Sequence, residues 1–82
     1  MTWQAMISEA GARIAGHIRR TPVTTLTVGG REVALKFEQM QHTGSFKTRG
    51  AFNTLLQAEV PDAGIVAASG GNHGAAVAYA AA

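Results

Sequence analysis

The sequence predicts an α/β fold, with helices around a partly parallel sheet, from three observations. Ile7, Ala10, Ile14 and Ile18 recur at helical spacing near the start of the chain. Between Pro22 and Glu38 the pattern changes to alternation, Val33, Leu35 and Phe37 being separated by Ala34 and Lys36, with Gly29-Gly30 at the midpoint. Ile65-Val66-Ala67-Ala68 is an unbroken apolar run between two helical stretches, the pattern of a strand covered on both faces. Helix, strand, helix, strand, helix is the order of an α/β domain with some parallel pairing.

Each element has its own signal. The first helix is expected from Gln4 to Arg19, with Ser8, Glu9 and Arg13 turned outward, and it ends before Thr21-Pro22. Pro22 to Val28 and Glu32 to Glu38 read as the two arms of a short hairpin. Gln39 to Gly44 reads as a loop. Ser45 then stands as N-cap of a helix whose buried face is Ala51, Phe52, Leu55 and Leu56, which puts Lys47 in the first turn. Pro61-Asp62-Ala63-Gly64 breaks that helix ahead of the apolar strand. Ser69-Gly70-Gly71-Asn72-His73-Gly74 forms a turn, and from Ala75 the Ala-rich chain with Val77 and Tyr79 favours helix. The chain halts at Tyr79-Ala80-Ala81-Ala82 without a helix stop signal. The expectation is that residues 1–82 are cut mid-helix, incomplete at the C-terminus, with most of the fold outside them.

Composition narrows the function classes. Eighty-two residues bound a single small domain of marginal stability. One Trp, one Tyr and three Phe offer little bulk for a core, although 46% of the residues are hydrophobic. The formal charge is +2, but Arg13, Arg19, Arg20, Arg31, Lys36, Lys47 and Arg49 are scattered, so no nucleic-acid patch is expected. The absence of cysteine excludes a disulfide framework and a thiolate metal site. No stretch approaches the ~20 apolar residues of a membrane span, and a soluble, cytoplasmic protein is the expectation. His17, His42 and His73 have no ligand spacing and no carboxylate beside them, so no metal site is expected.

Two segments carry chemistry. A lysine in a helix is most often a solvated charge, but Lys47 follows Gly44-Ser45-Phe46 at a helix start. There a cation faces the positive end of the helix dipole, which disfavours it by about 0.3–1 kcal/mol and favours the nucleophilic amine. Burial beside Phe46, or a preformed Schiff base, must supply the larger part of any activation. Lys47-Thr48 imitates the end of a phosphate-binding P-loop, yet Phe46 and Gln41 occupy the places of its two glycines. In the second segment Gly70-Gly71 allows close backbone approach, and the N–H groups of Asn72, His73 and Gly74 can converge on an anion. The plainer alternative is a strand-to-helix turn with Asn72 as cap and His73 as an exposed ring. Ser69 stands where a dinucleotide fingerprint needs its first glycine. Ser45 and Ser69 both lack the G-x-S-x-G turn of serine hydrolases.

Together, Lys36-Phe37-Glu38-Gln39-Met40-Gln41-His42-Thr43-Gly44-Ser45-Phe46-Lys47-Thr48-Arg49-Gly50-Ala51, the turn Ser69 to Gly74, and Arg20-Thr21-Pro22-Val23 resemble the N-terminal part of threonine/serine dehydratases. These are pyridoxal-phosphate enzymes of fold type II, the tryptophan synthase beta-like family. The resemblance covers nearly the whole chain and about the first quarter of such an enzyme. It implies that Lys47 holds pyridoxal 5'-phosphate as a Schiff base, that Phe46 lies against the pyridine ring, and that Asn72 bonds the ring 3-hydroxyl. It further implies that Ser69, Gly70, Gly71, Asn72 and His73 receive the substrate carboxylate. Lys47 would remove the α-proton and the β-hydroxyl would leave. Threonine would give 2-oxobutanoate, and serine pyruvate, with ammonia.

Related enzymes differ at two of these positions. Cysteine and threonine synthases carry an acidic residue after the lysine, where this chain has Thr48, and serine racemases carry a second serine where it has Gly70. Both differences favour the dehydratase branch over a racemase or another fold type II enzyme. The loop for the cofactor phosphate and the group facing the ring nitrogen would lie past residue 82. The fragment alone is therefore expected to be inactive, and the intact protein is expected to act on a small amino acid as a homo-oligomer. Two other readings stand beside this: a non-catalytic α/β module that binds a small anion, and a fragment that associates through uncovered strands.

Overall fold

A computed structural model describes residues 2–82. In chain order it contains α1 (Trp3–Ile14), β1 (Val23–Val28), β2 (Arg31–Lys36), α2 (Lys47–Leu55) and α3 (Asn72–Ala81). Two short 3-10 turns, Glu38–Met40 and His42–Gly44, lie between β2 and α2.

Helix α1 opens on Thr2, whose hydroxyl oxygen accepts the Ala5 N–H at 3.1 Å. It stops at Ile14 rather than Arg19, just before Ala15-Gly16, where glycine makes further helix costly. A tertiary contact also draws the chain away from a helical course. The Gln41 amide accepts the Arg19 N–H at 2.8 Å and donates to the Arg19 carbonyl at 2.9 Å, in the manner of a neighbouring strand. Of the expected apolar stripe only Ile14 is buried, Ala10 and Ile18 are half-buried, and Ile7 is exposed. The reason is that the end of α1 meets α2, through Ile14 and the Arg13–Asn53 side-chain bond of 2.6 Å, while its beginning projects outward.

The hairpin forms about the expected Gly29-Gly30 turn, its second strand running from Arg31 to Lys36 rather than Glu32 to Glu38. Gly29 (φ 55°) and Gly30 (φ 76°) are both left-handed, as a two-residue type I′ turn requires, and pairing runs from Val28↔Arg31 out to Val23↔Lys36. Leu26, Val28, Val33 and Leu35 share one face of this ribbon, which is exposed.

The parallel component of the expected sheet is not formed among the described residues, whose sheet is this antiparallel pair alone. Residues 65–68 run without ladder hydrogen bonds, and Val66 is fully exposed. A strand exists only where a neighbouring backbone lies within about 5 Å to pair with it, and no described segment takes that place. The apolar run thus has strand composition without a strand partner.

The core lies between α2 and α3. Thr48, Ala51 and Phe52 of α2 face Ala76 of α3, which has no exposed surface and lets the helices approach closely. Phe52 meets Tyr79 edge-on at 6.1 Å and His17 at 5.2 Å. Leu55 and Leu56 were expected in this face, but Leu55 is half-buried and Leu56 is 42% exposed, because α3 covers the side that begins at Thr48. The radius of gyration is 15.1 Å, against about 12 Å for a compact domain of this length. The arrangement is open, with clefts where a compact domain would have filler.

Candidate active site

The turn before α2 sets the direction of Lys47. Thr43 (φ 66°) and Gly44 (φ 80°) are consecutive left-handed residues, after which Ser45 is extended (φ −149°, ψ 166°). The Ser45 hydroxyl accepts the Lys47 N–H at 3.3 Å, so Ser45 has the conformation and bonding of the expected N-cap even though regular helix begins at Lys47. Beneath Lys47, Thr48 is completely buried and donates its hydroxyl to the His42 carbonyl at 2.5 Å. Its oxygen lies 2.8 Å from the Thr43 hydroxyl.

Lys47 itself is exposed, with its ammonium 5.7 Å from the centroid of the Phe46 ring. Phe46 is 63% exposed, so the ring meets the amine as a cation–π partner and does not bury it. Burial beside Phe46, the activation expected from the sequence, is therefore not supplied by the described residues.

Both residues open on a cleft of about 690 Å³ between α2, residues 65–68 and the start of α3. Ala51, Leu55, Val66 and Val77 line it with apolar side chains, and His73 is also among its lining residues. The fold thus brings the lysine segment and the glycine-rich turn to one cavity, although they lie 26 positions apart.

The turn is built around Ser69. Its hydroxyl oxygen accepts the N–H groups of Gly71 and Gly74, each at 3.2 Å, so Ser69 caps α3 from outside the helix. Of the three N–H groups read from the sequence as anion donors, that of Gly74 is thereby occupied, and so is the neighbouring N–H of Gly71. Those of Gly70, Asn72 and His73 have no partner among the described residues. Asn72 is the first residue of α3 and makes no side-chain cap, which removes the plainer reading of it as an N-cap. Ser69 and Gly74 line a separate, smaller cavity of about 280 Å³, and Asn72, Gly70 and Gly71 are exposed. Of the expected carboxylate-binding set, then, His73 alone lines the lysine cleft.

Support for α2 comes from the end of the hairpin and from the loop that follows it. Arg49 donates Nε to Glu38 Oε1 at 2.5 Å, while Thr21 donates to Oε2 at 2.5 Å and Lys36 Nζ lies 3.7 Å from it. The Arg49 guanidinium holds the Glu38 carboxyl down at about 2, against an ordinary 4.5; burial works the other way, and the Thr21 and Gln41 hydrogen bonds add to the lowering. On the far side, Tyr79 stacks on His42 at 4.7 Å with its hydroxyl 3.1 Å from Nδ1, tying α3 to the loop before Lys47. Among the described residues no three His, Asp or Glu side chains converge as metal ligands, and no helix is long and apolar enough to cross a membrane.

This fold and cleft are those of a known class. The chain belongs to the family of pyridoxal-phosphate dependent enzymes, whose sequence profile matches residues 14–82. It is 48% identical over 81 residues to the catabolic L-threonine dehydratase TdcB of Staphylococcus aureus, covering 88% of this chain and 23% of that protein. It is 45% identical over 80 residues to serine racemase of Dictyostelium discoideum, covering 90% of this chain and 25% of that protein. Among solved structures, maize serine racemase superimposes with a TM-score of 0.82 at 42% identity, over 94% of this chain and 26% of that one. The shared architecture is that of fold type II, and the chain spans about a quarter of the length of each of these relatives.

The residues present fit the family's cofactor. The cleft of about 690 Å³ lies within the roughly 300–1,000 Å³ of small-molecule sites. Its lining is mostly apolar side chains, suited to a ring, and includes one primary amine, that of Lys47.

Proposed function

We propose that the intact protein is a pyridoxal-phosphate dependent ammonia-lyase that converts L-threonine or L-serine to 2-oxobutanoate or pyruvate and ammonia. The observation that carries this reading is the meeting of Lys47 and the α3 start at one cleft. In it, Lys47 is the residue that bears the cofactor and later acts as base. When bound, the cofactor supplies an electron sink for the charge left on the α-carbon.

The chain's own residues do the rest. The Lys47 amine takes the α-proton, and its Nζ sits on the cleft wall with the freedom of an exposed side chain. The unpartnered N–H groups of Asn72 and His73 receive the substrate carboxylate at the positive end of α3. The Ser69 hydroxyl, already accepting two N–H groups, retains its proton to donate to the same carboxylate. Phe46, in its exposed position, would be the residue to lie against the cofactor ring, and the Asn72 side chain, free of capping duty, would be the one to bond the ring hydroxyl.

Serine racemase is the second reading, favoured by the 45% identity to an enzyme of that name. Gly70 counts against it, because racemisation needs a proton-handling group on the face of the substrate opposite Lys47 and glycine has none. Borohydride reduction of the intact protein loaded with pyridoxal phosphate, followed by peptide mapping, tests the assignment of Lys47. Absence of a reduced adduct there would leave the non-covalent anion-binding module as the better account. Product analysis from L-serine, pyruvate against D-serine, separates the two enzyme readings.

A further inference from the structure

Among the described residues Thr48 is the one side chain larger than alanine with no exposed surface, and it is polar. A hydroxyl in that position is retained only where its bonds are made, and both are made to the loop that delivers Lys47. It donates to the His42 carbonyl at 2.5 Å, which leaves its oxygen to accept from the Thr43 hydroxyl at 2.8 Å. Thr43 is β-branched yet sits at φ 66°, a conformation such residues rarely adopt, so something must hold it there. The bond from its own side chain to Thr48 is the contact that does so.

We propose that Thr48 is a positioning residue for Lys47. Adjacent helical residues point about 100° apart around the axis. Burial of Thr48 toward α3 and the loop thus fixes the rotation of the first turn of α2, and that rotation puts Lys47 on the cleft wall. The His42 carbonyl and Thr43 hydroxyl act as two fixed points, and the stacking of His42 on Tyr79 anchors the first of them to α3. This inference rests on the reading of Lys47 as the cofactor-bearing amine.

The test compares Thr48→Val, which keeps the shape and removes the hydroxyl, with Thr48→Ser, which keeps the hydroxyl, in the intact protein. The first readout is the rate of borohydride-trapped labelling of Lys47 by pyridoxal phosphate, relative to Lys36, the other lysine of the chain. Thr48→Val lowers that ratio about tenfold and Thr48→Ser restores it to within about threefold, the scale of one lost buried hydrogen bond. A purely structural role would slow folding or lower stability without changing the ratio in the folded fraction. The second readout needs no cofactor: amide hydrogen exchange of residues 45–49 rises in Thr48→Val while that of α3 stays at the wild-type rate. If the wild-type protein never labels Lys47, the proposed function falls, and the exchange data still decide whether Thr48 holds the turn. Should Thr48→Val fail to fold, Thr43→Val removes the exposed partner hydroxyl alone and is expected to show the same changes at smaller size. Wild-type labelling ratio and wild-type exchange in a folded Thr48→Val or Thr43→Val protein overturn the inference.

Discussion

Arg49 Nε lies 2.5 Å from Glu38 Oε1, a charged bond that joins the start of the lysine helix to the end of the hairpin. The Glu38 side chain is 16% exposed and also accepts from Thr21, so one carboxylate holds three segments together. Its folded value of about 2 lies below the ordinary 4.5. A lowered value means the contribution to stability is complete above pH 4.5 and is lost as pH falls toward 2. The full shift corresponds to about 3 kcal/mol, reduced to about 2 kcal/mol because Arg49 is partly in solvent. Urea unfolding at pH 7 and pH 3 should show this loss in the wild-type protein, and Glu38→Gln should abolish that part of the pH dependence. An unchanged slope in Glu38→Gln would remove Glu38 as its source.

Gln41 is 2% exposed, and its amide both donates and accepts at Arg19. Gln41→Glu keeps the shape but replaces the donor with a carboxylate oxygen facing the Arg19 carbonyl. The expected cost is about 2–4 kcal/mol at pH 7, read by denaturant midpoint, with recovery at low pH as the new carboxyl takes up a proton.

A methyl at Gly74 would stand 2.4 Å from the Ser69 carbonyl oxygen, a backbone atom that cannot swing aside. Gly74→Ala should therefore displace the Ser69 turn despite alanine's better helix propensity, at a cost of about 1–3 kcal/mol. Thermal melting measures the cost. A rise in KM for the amino acid larger than the fall in kcat would mark the turn as the carboxylate site.

Gly70 is different, since a Cβ there meets nothing within 4 Å and its backbone is not left-handed. Gly70→Ser is expected to change stability by less than about 0.5 kcal/mol. On the ammonia-lyase reading it should also raise formation of D-serine from L-serine at the expense of pyruvate, measured by chiral chromatography. A stable variant that makes no more D-serine than wild type would show that a hydroxyl at 70 is insufficient.

On the ammonia-lyase reading, Lys47→Ala should lose the borohydride-trapped adduct, with Lys36 unaffected as internal control, and the intact variant should lose at least about 10³-fold in kcat for 2-oxo acid release. Wild-type turnover by Lys47→Ala would reassign the chemistry to another amine.

Local rules carried the elements whose causes are local. Gly29-Gly30 specifies its turn whatever surrounds it, Ser45 caps α2 from two residues away, and the Ala-rich segment after Gly71 is helical by propensity. The lysine segment and the glycine-rich turn were likewise legible as candidate chemistry, each from its residue types. What the pattern misjudged depends on partners distant in the chain. Ile7 has helical spacing but nothing to pack on, and residues 65–68 have strand composition but no strand beside them. Thr48 entered the sequence reading only through a P-loop that the missing glycines reject, because nothing in its neighbours announces that α3 will bury it.

By itself, then, the sequence determined the hairpin, the cap of α2 and the residues able to do chemistry, since these follow from backbone preference and side-chain type within a few positions. Only the tertiary structure decided that Lys47 and His73 share a cleft, that Ser69 occupies two of the turn's N–H groups, and that Thr48, Gln41 and Glu38 hold the frame. Burial and hydrogen-bond pairing are properties of which surfaces meet, and the Arg49–Glu38 and Arg13–Asn53 bonds reach across 11 and 40 residues of chain.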